Sequence, residues 1–417
     1  MRCKLFFTVF LAAMMTALPM AAGTITLLEP ADGALYDTHS PCVREFLEHP
    51  EERGTQPPRP PKTPAELEKE RLQNAAYQAW VANGKKKEQK VKPYKDNFNY
   101  YIHNPWSAAL MKRDAVEERE YRPFRWEVSD KLTDAMVEFS TTADFAHPVS
   151  QAAGDLNGRS RTSLRPAYLQ IGTVYFWRVK GRNAAGENVV SATREFTTAG
   201  RFPRMLLLPS ANLRDLGGGV NTHGREIRQG LLFRGKAPAS GKATDESVIR
   251  LYRDILGIKT ELDLRGREEC EKRRKEWGEK DLAALAGIRH EFLPIIPYHM
   301  HYPPNLPQFR KIFALLADRN AYPVYFHCAV GCDRTGTLAF LIDGILGRDN
   351  REMTANYELP SFDPNLPRYR YSRKARELFT TFSAGNGEYR DNVVTYLLKI
   401  GVTREQIDAI RAIMLKP

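Results

Sequence analysis

At 417 residues the chain is too long for one ordinary core and suggests two domains or so. Its 42% hydrophobic and 27% charged residues are ordinary for a globular protein. A net charge of +12 and a pI near 9.4 favour anionic partners. No interleaved aromatic and basic platform, zinc-ligand spacing or recognition-helix pattern accompanies that charge, so nucleic acid is not the expected partner.

In chain order, Arg2 and Lys4 precede the apolar run Leu5 to Met20, and Ala21-Ala22-Gly23 offers small residues for cleavage, the pattern of a signal peptide over residues 1–22. The run is too short to favour a spanning helix, and no later segment is long enough to cross a bilayer. The expected protein is exported, periplasmic or secreted, with a lean to the periplasm. Cys3 lies in the charged leader and not at a cleavage site, so no lipid anchor is indicated.

Thr24 to Pro30 reads as a strand closed by the turn Ala31-Asp32-Gly33, and matching strand signals return at Pro123 to Val128, Met136 to Ser140, Thr173 to Lys180 and Ser191 to Thr198. Short strands separated by turns predict a β-sandwich. The strand Tyr175-Phe176-Trp177-Arg178-Val179, the turn Asn183-Ala184-Ala185-Gly186 and the closing Glu195-Phe196-Thr197-Thr198 resemble a fibronectin-type-III domain. On that likeness residues 23–200 form an all-β domain interrupted by an insertion at about 40–120.

The insertion opens with Pro57-Pro58-Arg59-Pro60-Pro61, an extended linker. Thr63-Pro64-Ala65-Glu66 then predicts a capped helix running to about Val81 and stopped by Gly84. Lys85 to Lys87 and Lys90 to Lys92 form a basic run, read as a solvated face, and Tyr94, Phe98, Tyr100, Tyr101 and Trp106 form an aromatic cluster, read as packing on the sandwich.

A second domain is expected over 201–417, where helical patterns alternate with apolar strands as in an α/β sandwich. Its organising stretch is Tyr322 to Thr337. Val324 to Phe326 reads as a strand and Thr337 onward as a helix, so the residues between form a tight connection whose first helical amides point at the loop. Cys328 at the mouth of such a loop, near Arg334, is a candidate thiolate nucleophile, because amides and positive charge depress a thiol's pKa. Arg334 offers a planar fork for two phosphate oxygens, and Gly331 and Gly336 allow close approach of the backbone.

His327-Cys328-x-x-Gly331-x-x-Arg334-Thr335 is the signature of the cysteine-dependent protein-tyrosine-phosphatase superfamily, and the chain resembles it here without a gap. The blocks Ser210 to Gly218, Gly230 to Gly235 and Gly257 to Arg265, with Leu346-Gly347-Arg348 and Leu397 to Leu415 downstream, are similar to its bacterial branch, whose members act on phosphotyrosine, other phosphoprotein residues or phosphoinositides.

The resemblance implies attack by Cys328 through a phosphocysteine, with the amides of Ala329, Val330, Gly331, Cys332, Asp333 and Arg334 and the Arg334 fork binding phosphate. It also implies that Thr335 stabilises the thiolate and that His327 orients the loop from behind, a neutral structural histidine being the plain alternative. No metal or other cofactor is expected, since the loop itself neutralises phosphate.

Many relatives carry an acidic lid after the strand Phe292-Leu293-Pro294, but Ile295 to Asn305 contains no carboxylate. Asp333 is therefore the first candidate for the acid, its alternative role being to bind loop amides or Arg334; His299 or His301 is a second source of the acid or a substrate contact. Asp215, Asp263 and Arg265 are expected to be mainly structural, with Arg214 or Lys236 as possible substrate contacts. Cys332 stands where relatives often carry lysine, which makes phosphoinositide activity less secure than simple monoester hydrolysis. It either forms a reversible disulfide with Cys328 or fills a small loop position.

The leading expectation is a phosphatase for phosphotyrosine or dual-specificity phosphoprotein substrates. Inositol phosphates such as phytate, or phosphoinositides, are the alternative substrates, and a catalytically silent phosphate-binding or adhesion protein is the alternative class. Oligomeric state is not legible in the sequence.

Overall fold

The structure is a computed structural model that describes residues 25–53, 61–82, 106, 109–110, 112–113, 124–129, 131–154, 161–164, 166–201, 212–238, 245–362, 368–372, 374–385 and 387–417. The leader, most of the proline run, Gly84, the lysine run and Tyr94, Phe98, Tyr100 and Tyr101 lie outside these residues. The described chain divides into two units, one drawn from 1–36, 122–166 and 174–197, the other from 37–121, 167–173 and 198–417.

The first unit is antiparallel. Strands β1 (Ile25–Glu29), β3 (Phe124–Val128) and β6 (Arg161–Leu164) form one sheet in the order β1-β3-β6. The second sheet runs β2-β9-β7-β4-β5, from β2 (Ala34–Asp37), β4 (Thr133–Ser140), β5 (Val149–Gly154), β7 (Val174–Arg182) and β9 (Arg194–Ala199), with β8 (Asn188–Val190) paired to β7. Alternate residues of β3 are buried, as a strand with one face inward requires. Phe124 sits at the centre, edge-on to Phe139 and Trp177 at 4.9 Å each and to Phe196 at 5.1 Å. The strand signals at Trp126, Phe139, Trp177 and Phe196 therefore mark one aromatic core.

The second unit holds a five-stranded mixed sheet in the order β10-β11-β14-β12-β13. Its strands are β10 (Arg214–Asp215), β11 (Leu232–Lys236), β12 (Thr260–Asp263), β13 (Arg289–Phe292) and β14 (Val324–Cys328). β14 is central and parallel to both β11 and β12. All five of its residues are buried, as expected of a parallel strand covered on both faces. Val324, Phe326 and Cys328 face the larger core, while Tyr325 faces the smaller one.

The helices of this unit are α1 (Pro41–Glu48), α2 (Pro50–Arg53), α3 (Pro64–Ala82), α4 (Asp245–Ile249), α5 (Arg267–Trp277), α6 (Leu282–Ala286), α7 (Asn305–Leu316), α8 (Asp333–Leu346), α9 (Asn350–Glu358), α10 (Arg376–Phe382), α11 (Tyr389–Lys399) and α12 (Arg404–Met414). α8 is buried from Thr335 to Leu346, so it is apolar nearly all round and forms the centre of the larger core. α3 begins as its sequence predicts: the Thr63 hydroxyl accepts from the Glu66 amide at 3.3 Å, and Glu66 accepts from the Thr63 amide at 2.8 Å.

Residues 37–121 stand outside the first unit, where an insertion at about 40–120 was expected, and they belong to the second unit, which was expected to begin only near 201. Cys42, Val43, Phe46 and Leu47 of α1 and Leu110 form one buried cluster with Ala355 and Leu359, at the end of α9. Trp106 stacks on Phe46 with ring centroids 6.0 Å apart. Arg351 donates to the Glu48 carbonyl at 2.9 Å, and Arg370 donates to the Pro50 carbonyl. The short segment 167–173 joins the same unit: the Ile171 amide donates to Gln229 Oε1 at 2.8 Å and Gln229 Nε2 donates back to the Ile171 carbonyl at 3.0 Å. An apolar stretch signals burial without naming the surface that covers it.

Candidate active site

β14 ends at Cys328, and α8 begins only five residues later, at Asp333. The turn between is tight because Gly331 adopts φ +72° and lies against the backbone of Gly235 in β11, where a Cβ would come within 2.4 Å of the Gly235 carbonyl. Only glycine fits there.

The loop carbonyls are held from behind. Asn212 Nδ2 donates to the carbonyls of Val330 at 3.2 Å and Gly331 at 2.8 Å, and Arg234 Nη2 donates to Gly331 at 2.9 Å. Because C=O and N–H point in opposite directions across a planar trans peptide, fixing the carbonyls at the rear turns the amides of this loop to the front. The supports are themselves fixed. Arg214 bonds the Asn212 side chain and donates to the Asn356 carbonyl at 2.7 Å, and Arg234 Nη1 reaches Asn356 Oδ1 at 3.3 Å.

Cys328 is only 1% exposed. Burial alone would push its thiol up, but the Arg334 charge and the hydroxyl and amide of Thr335 outweigh burial and hold it below the usual thiol value. The Thr335 hydroxyl is fully buried and makes no formal hydrogen bond of its own, so its hydrogen is available to the sulfur.

Arg334 is held by Glu269 of α5, Nη1 to Oε2 at 2.6 Å and Nη2 to Oε1 at 3.0 Å. A guanidinium has five N–H groups, so the remaining donors stay available for an anion. His327, fully buried, places Nε2 2.8 Å from Glu261 Oε1 and Nδ1 4.0 Å from Asp263 Oδ1. Burial would lower its pKa, but the Asp263 charge and the bond to Glu261 outweigh burial and raise it above the ordinary histidine value.

Asp333 meets partners other than loop amides or Arg334. Arg368 grips both its oxygens, Nε to Oδ1 at 2.8 Å and Nη2 to Oδ2 at 2.9 Å, and the Tyr298 hydroxyl also donates to Oδ1. Tyr298 belongs to the segment after β13, where the lid was expected. It has φ +69°, an uncommon backbone conformation for tyrosine, and its hydroxyl reaches the loop at Asp333.

The other expected residues divide into supports and surface groups. Arg214 is 3% exposed and faces Asn212 and Asn356, which makes it a support of the loop. Asp215 accepts from the Tyr168 hydroxyl at 2.5 Å and from the amides of Gly217 and Gly230 at 2.7 and 2.6 Å, and burial pushes its carboxyl up to about 6. Asp263 and Arg265 form a buried pair, Nη2 to Oδ2 at 2.7 Å, which Glu279 extends. Lys236 is in register with Cys328 on the neighbouring strand. His299 bonds Glu377 at 2.8 Å on the surface, and exposed His301 lies edge-on to Tyr396, so Tyr298 between β13 and α7 is the residue that reaches Asp333.

Cys332 accepts from Asn212 Nδ2 at 3.3 Å and donates to the Val330 carbonyl at 3.4 Å. Burial pushes its thiol up to about 12, and no disulfide joins it to Cys328 in this structure. Glu261, Asp281 and His290 bring potential ligand atoms within 4.8 Å of one another, but Glu261 is committed to His327 and to the Leu282 amide, and Asp281 caps α6.

Sequence reasoning missed Glu269, Arg368, Tyr298, Asn212 and Arg234 as parts of this site. Arg234 and Asn212 stood inside recognised blocks, so their positions were signalled although their contacts were not. Arg368 lies in the basic-aromatic run Pro367-Arg368-Tyr369-Arg370-Tyr371, far along the chain from Asp333, with no spacing that links the two.

A lowered thiol at the entrance to a buried helix, an arginine fork beside it and amides turned forward define the class: a cysteine-nucleophile site for phosphoryl groups. The tyrosine phosphatase family matches residues 207–416, just over half of the chain, and the chain belongs to that family. A curated relative from Cupriavidus necator, named as a candidate tyrosine-protein phosphatase, is 26% identical over 165 residues. That match covers 35% of this chain and only 59% of the relative's length.

Among solved structures, the core catalytic domain of the PP-IP phosphatase Siw14 from S. cerevisiae is similar at 15% identity and TM-score 0.26, over 40% of this chain and 83% of that one. A second Siw14 catalytic core gives 14% identity and TM-score 0.26, over 45% and 94%. At that TM-score the likeness carries no weight for fold or substrate. No described helix is long and apolar enough to cross a membrane.

Proposed function

We propose that this protein is a cysteine-dependent phosphoric monoester hydrolase acting on phosphotyrosine or other phosphoprotein substrates. The Cys328 thiolate attacks phosphorus in line, forming an S–P bond as the P–O bond to the leaving group breaks and the electron pair departs with oxygen. The loop amides and the free donors of Arg334 hold the three non-bridging oxygens as charge shifts among them. Water then attacks the phosphocysteine, releasing phosphate and regenerating the thiolate. The observation that carries this reading is the depressed Cys328 thiol beside Arg334 and Thr335, in a loop whose carbonyls are fixed away from the site.

Arg214, Asn212, Arg234, His327 and Asp263 act here as positioning residues, and Lys236 is the residue best placed in register to meet the substrate beside Cys328. The leader pattern supports export, and the two antiparallel sheets with their aromatic core support a fibronectin-type-III-like first domain. Both belong to this proposal.

The test is phosphate release by the protein under reducing conditions, without added metal, across phosphotyrosine, phosphoserine, phosphoinositide and phytate substrates, with Cys328→Ser as control. Turnover that disappears in the control, with phosphotyrosine peptide ranked first, is expected. Phytate or phosphoinositide ranked first would replace the substrate class, and no turnover on any of the four would overturn the enzyme reading in favour of a binding protein.

A further inference from the structure

We propose that Arg368 is a positioning residue that sets the leaving-group range of this site: by occupying both oxygens of Asp333 it withholds the loop carboxyl from the departing oxygen, restricting efficient turnover to aryl phosphate monoesters. The proposal rests on the phosphatase reading above and narrows its substrate class.

Asp333 is the first residue of α8 and the immediate neighbour of Arg334, the place in the loop from which a carboxyl would serve the leaving group. To do so, it must carry a proton on an oxygen that faces the substrate. All three bonds described to it instead make it an acceptor, two from Arg368 and one from Tyr298. The Tyr298 hydrogen is committed as well. Tyr357 of α9 donates to the Tyr298 oxygen at 3.1 Å, so the single Tyr298 hydrogen is the one that points at Asp333.

Arg368 is 6% exposed and held by two bonds to this carboxylate, so it does not readily swing into solvent. The other titratable groups near Asp333 are the Cys328 and Cys332 sulfurs and the Tyr357 hydroxyl.

The chemical consequence concerns the first step. A phenol has a pKa of about 10, so a phenolate leaves without help and takes its proton from water afterwards. An alkoxide is the conjugate base of an alcohol whose pKa is near that of water, about 15.7, and it needs the proton in the transition state. General acid catalysis contributes about 10²–10⁴-fold. Phosphoserine and inositol monoesters should therefore trail phosphotyrosine by about that factor in kcat/KM beyond any difference in binding.

The experiment measures kcat/KM, which reports the step up to phosphocysteine formation, for a series of substituted phenyl phosphates and one alkyl phosphate, across pH, in the wild-type protein and in Arg368→Met and Tyr298→Phe. Wild type should show a steep dependence on leaving-group pKa and no falling limb at high pH from an essential acid. Arg368→Met should flatten that slope, raise the alkyl-to-aryl ratio by at least about tenfold and acquire a falling limb, with Tyr298→Phe in between. A purely structural arginine would change absolute rates without changing slope or pH profile, and that result would overturn the proposal.

The wild-type series decides the question even if Arg368→Met fails to fold. A shallow slope with a falling limb in the unaltered protein sinks this inference while leaving Cys328-dependent hydrolysis standing. Absence of aryl phosphate turnover altogether would sink the phosphatase reading and this inference together.

Discussion

Replacing Thr335 by valine removes the hydroxyl that faces the Cys328 sulfur and little else. The hydroxyl is buried and makes no other hydrogen bond, so valine of nearly the same shape leaves no partner stranded and should change stability little. A hydrogen bond to a charged group is worth about 1.5–3 kcal/mol and one pKa unit about 1.4 kcal/mol, so the Cys328 thiol should titrate about one to two units higher in Thr335→Val. It should not return fully to the free value, because the Arg334 charge and the Thr335 amide remain.

Iodoacetamide alkylation followed against pH reads the midpoint directly, since only the thiolate reacts. The other described thiols do not confuse it below about pH 9. Cys270 and Cys332 are pushed up to about 12, and the same titration of Cys328→Ser gives the background from the remaining thiols. Turnover on an aryl phosphate should fall as pH drops through the same midpoint, since the thiol must be ionised to attack. By linkage, a thiol that ionises more readily when folded adds stability that is complete above its unfolded pKa and lost as pH falls through the folded one. An alkylation midpoint that stays within about 0.3 units of wild type in a stably folded variant would refute this assignment of Thr335.

Glu269→Ala releases the Arg334 fork, and kcat for aryl phosphate should fall about tenfold, about 1.4 kcal/mol, with a smaller rise in KM; steady-state kinetics showing unchanged kcat would mean that the loop alone orients Arg334. Gly331→Ala meets both a left-handed φ of +72° and the Gly235 backbone at 2.4 Å. It should destabilise the unit by about 2–5 kcal/mol in urea unfolding, and a stable, active variant would contradict the tight turn. Phe46→Ala empties the cluster between α1 and α9 and should cost about 3–5 kcal/mol by thermal or urea unfolding. A loss under about 1 kcal/mol would show that α1 merely rests on this surface.

The loop around Cys328 was legible in advance because its chemistry is local: strand, cysteine, glycine, arginine and helix follow one another within sixteen residues, Tyr322 to Thr337. The aromatic strands of the first unit were legible for a similar reason, since period-two alternation survives in any sheet with one buried face. The partners of the loop were not. Arg368, Glu269 and Asn212 reach it from three separate segments, and only tertiary closure brings an arginine at 368 onto an aspartate at 333. Asp333 could be placed by sequence, but its role depends on which donors face it, which no spacing records. Trp106 was expected against the sandwich because aromatics announce burial, and the surface that buries it was decided by α1 and α9.

The braces laid by α1, α2 and segment 167–173 separate the boundary of homology from the boundary of folding. The family match begins at 207, yet the apolar end of α9 is roofed by Val43, Phe46 and Leu47, and the Tyr168 hydroxyl closes the ring of donors around Asp215. A fragment trimmed to the matched segment would bare a greasy face at Ala355 and Leu359 and leave that carboxylate one donor short. It would be expected to clump or to populate loosened forms. The smallest piece of this protein that can be purified, assayed and inhibited as a faithful enzyme therefore starts well upstream of the residues that identify it.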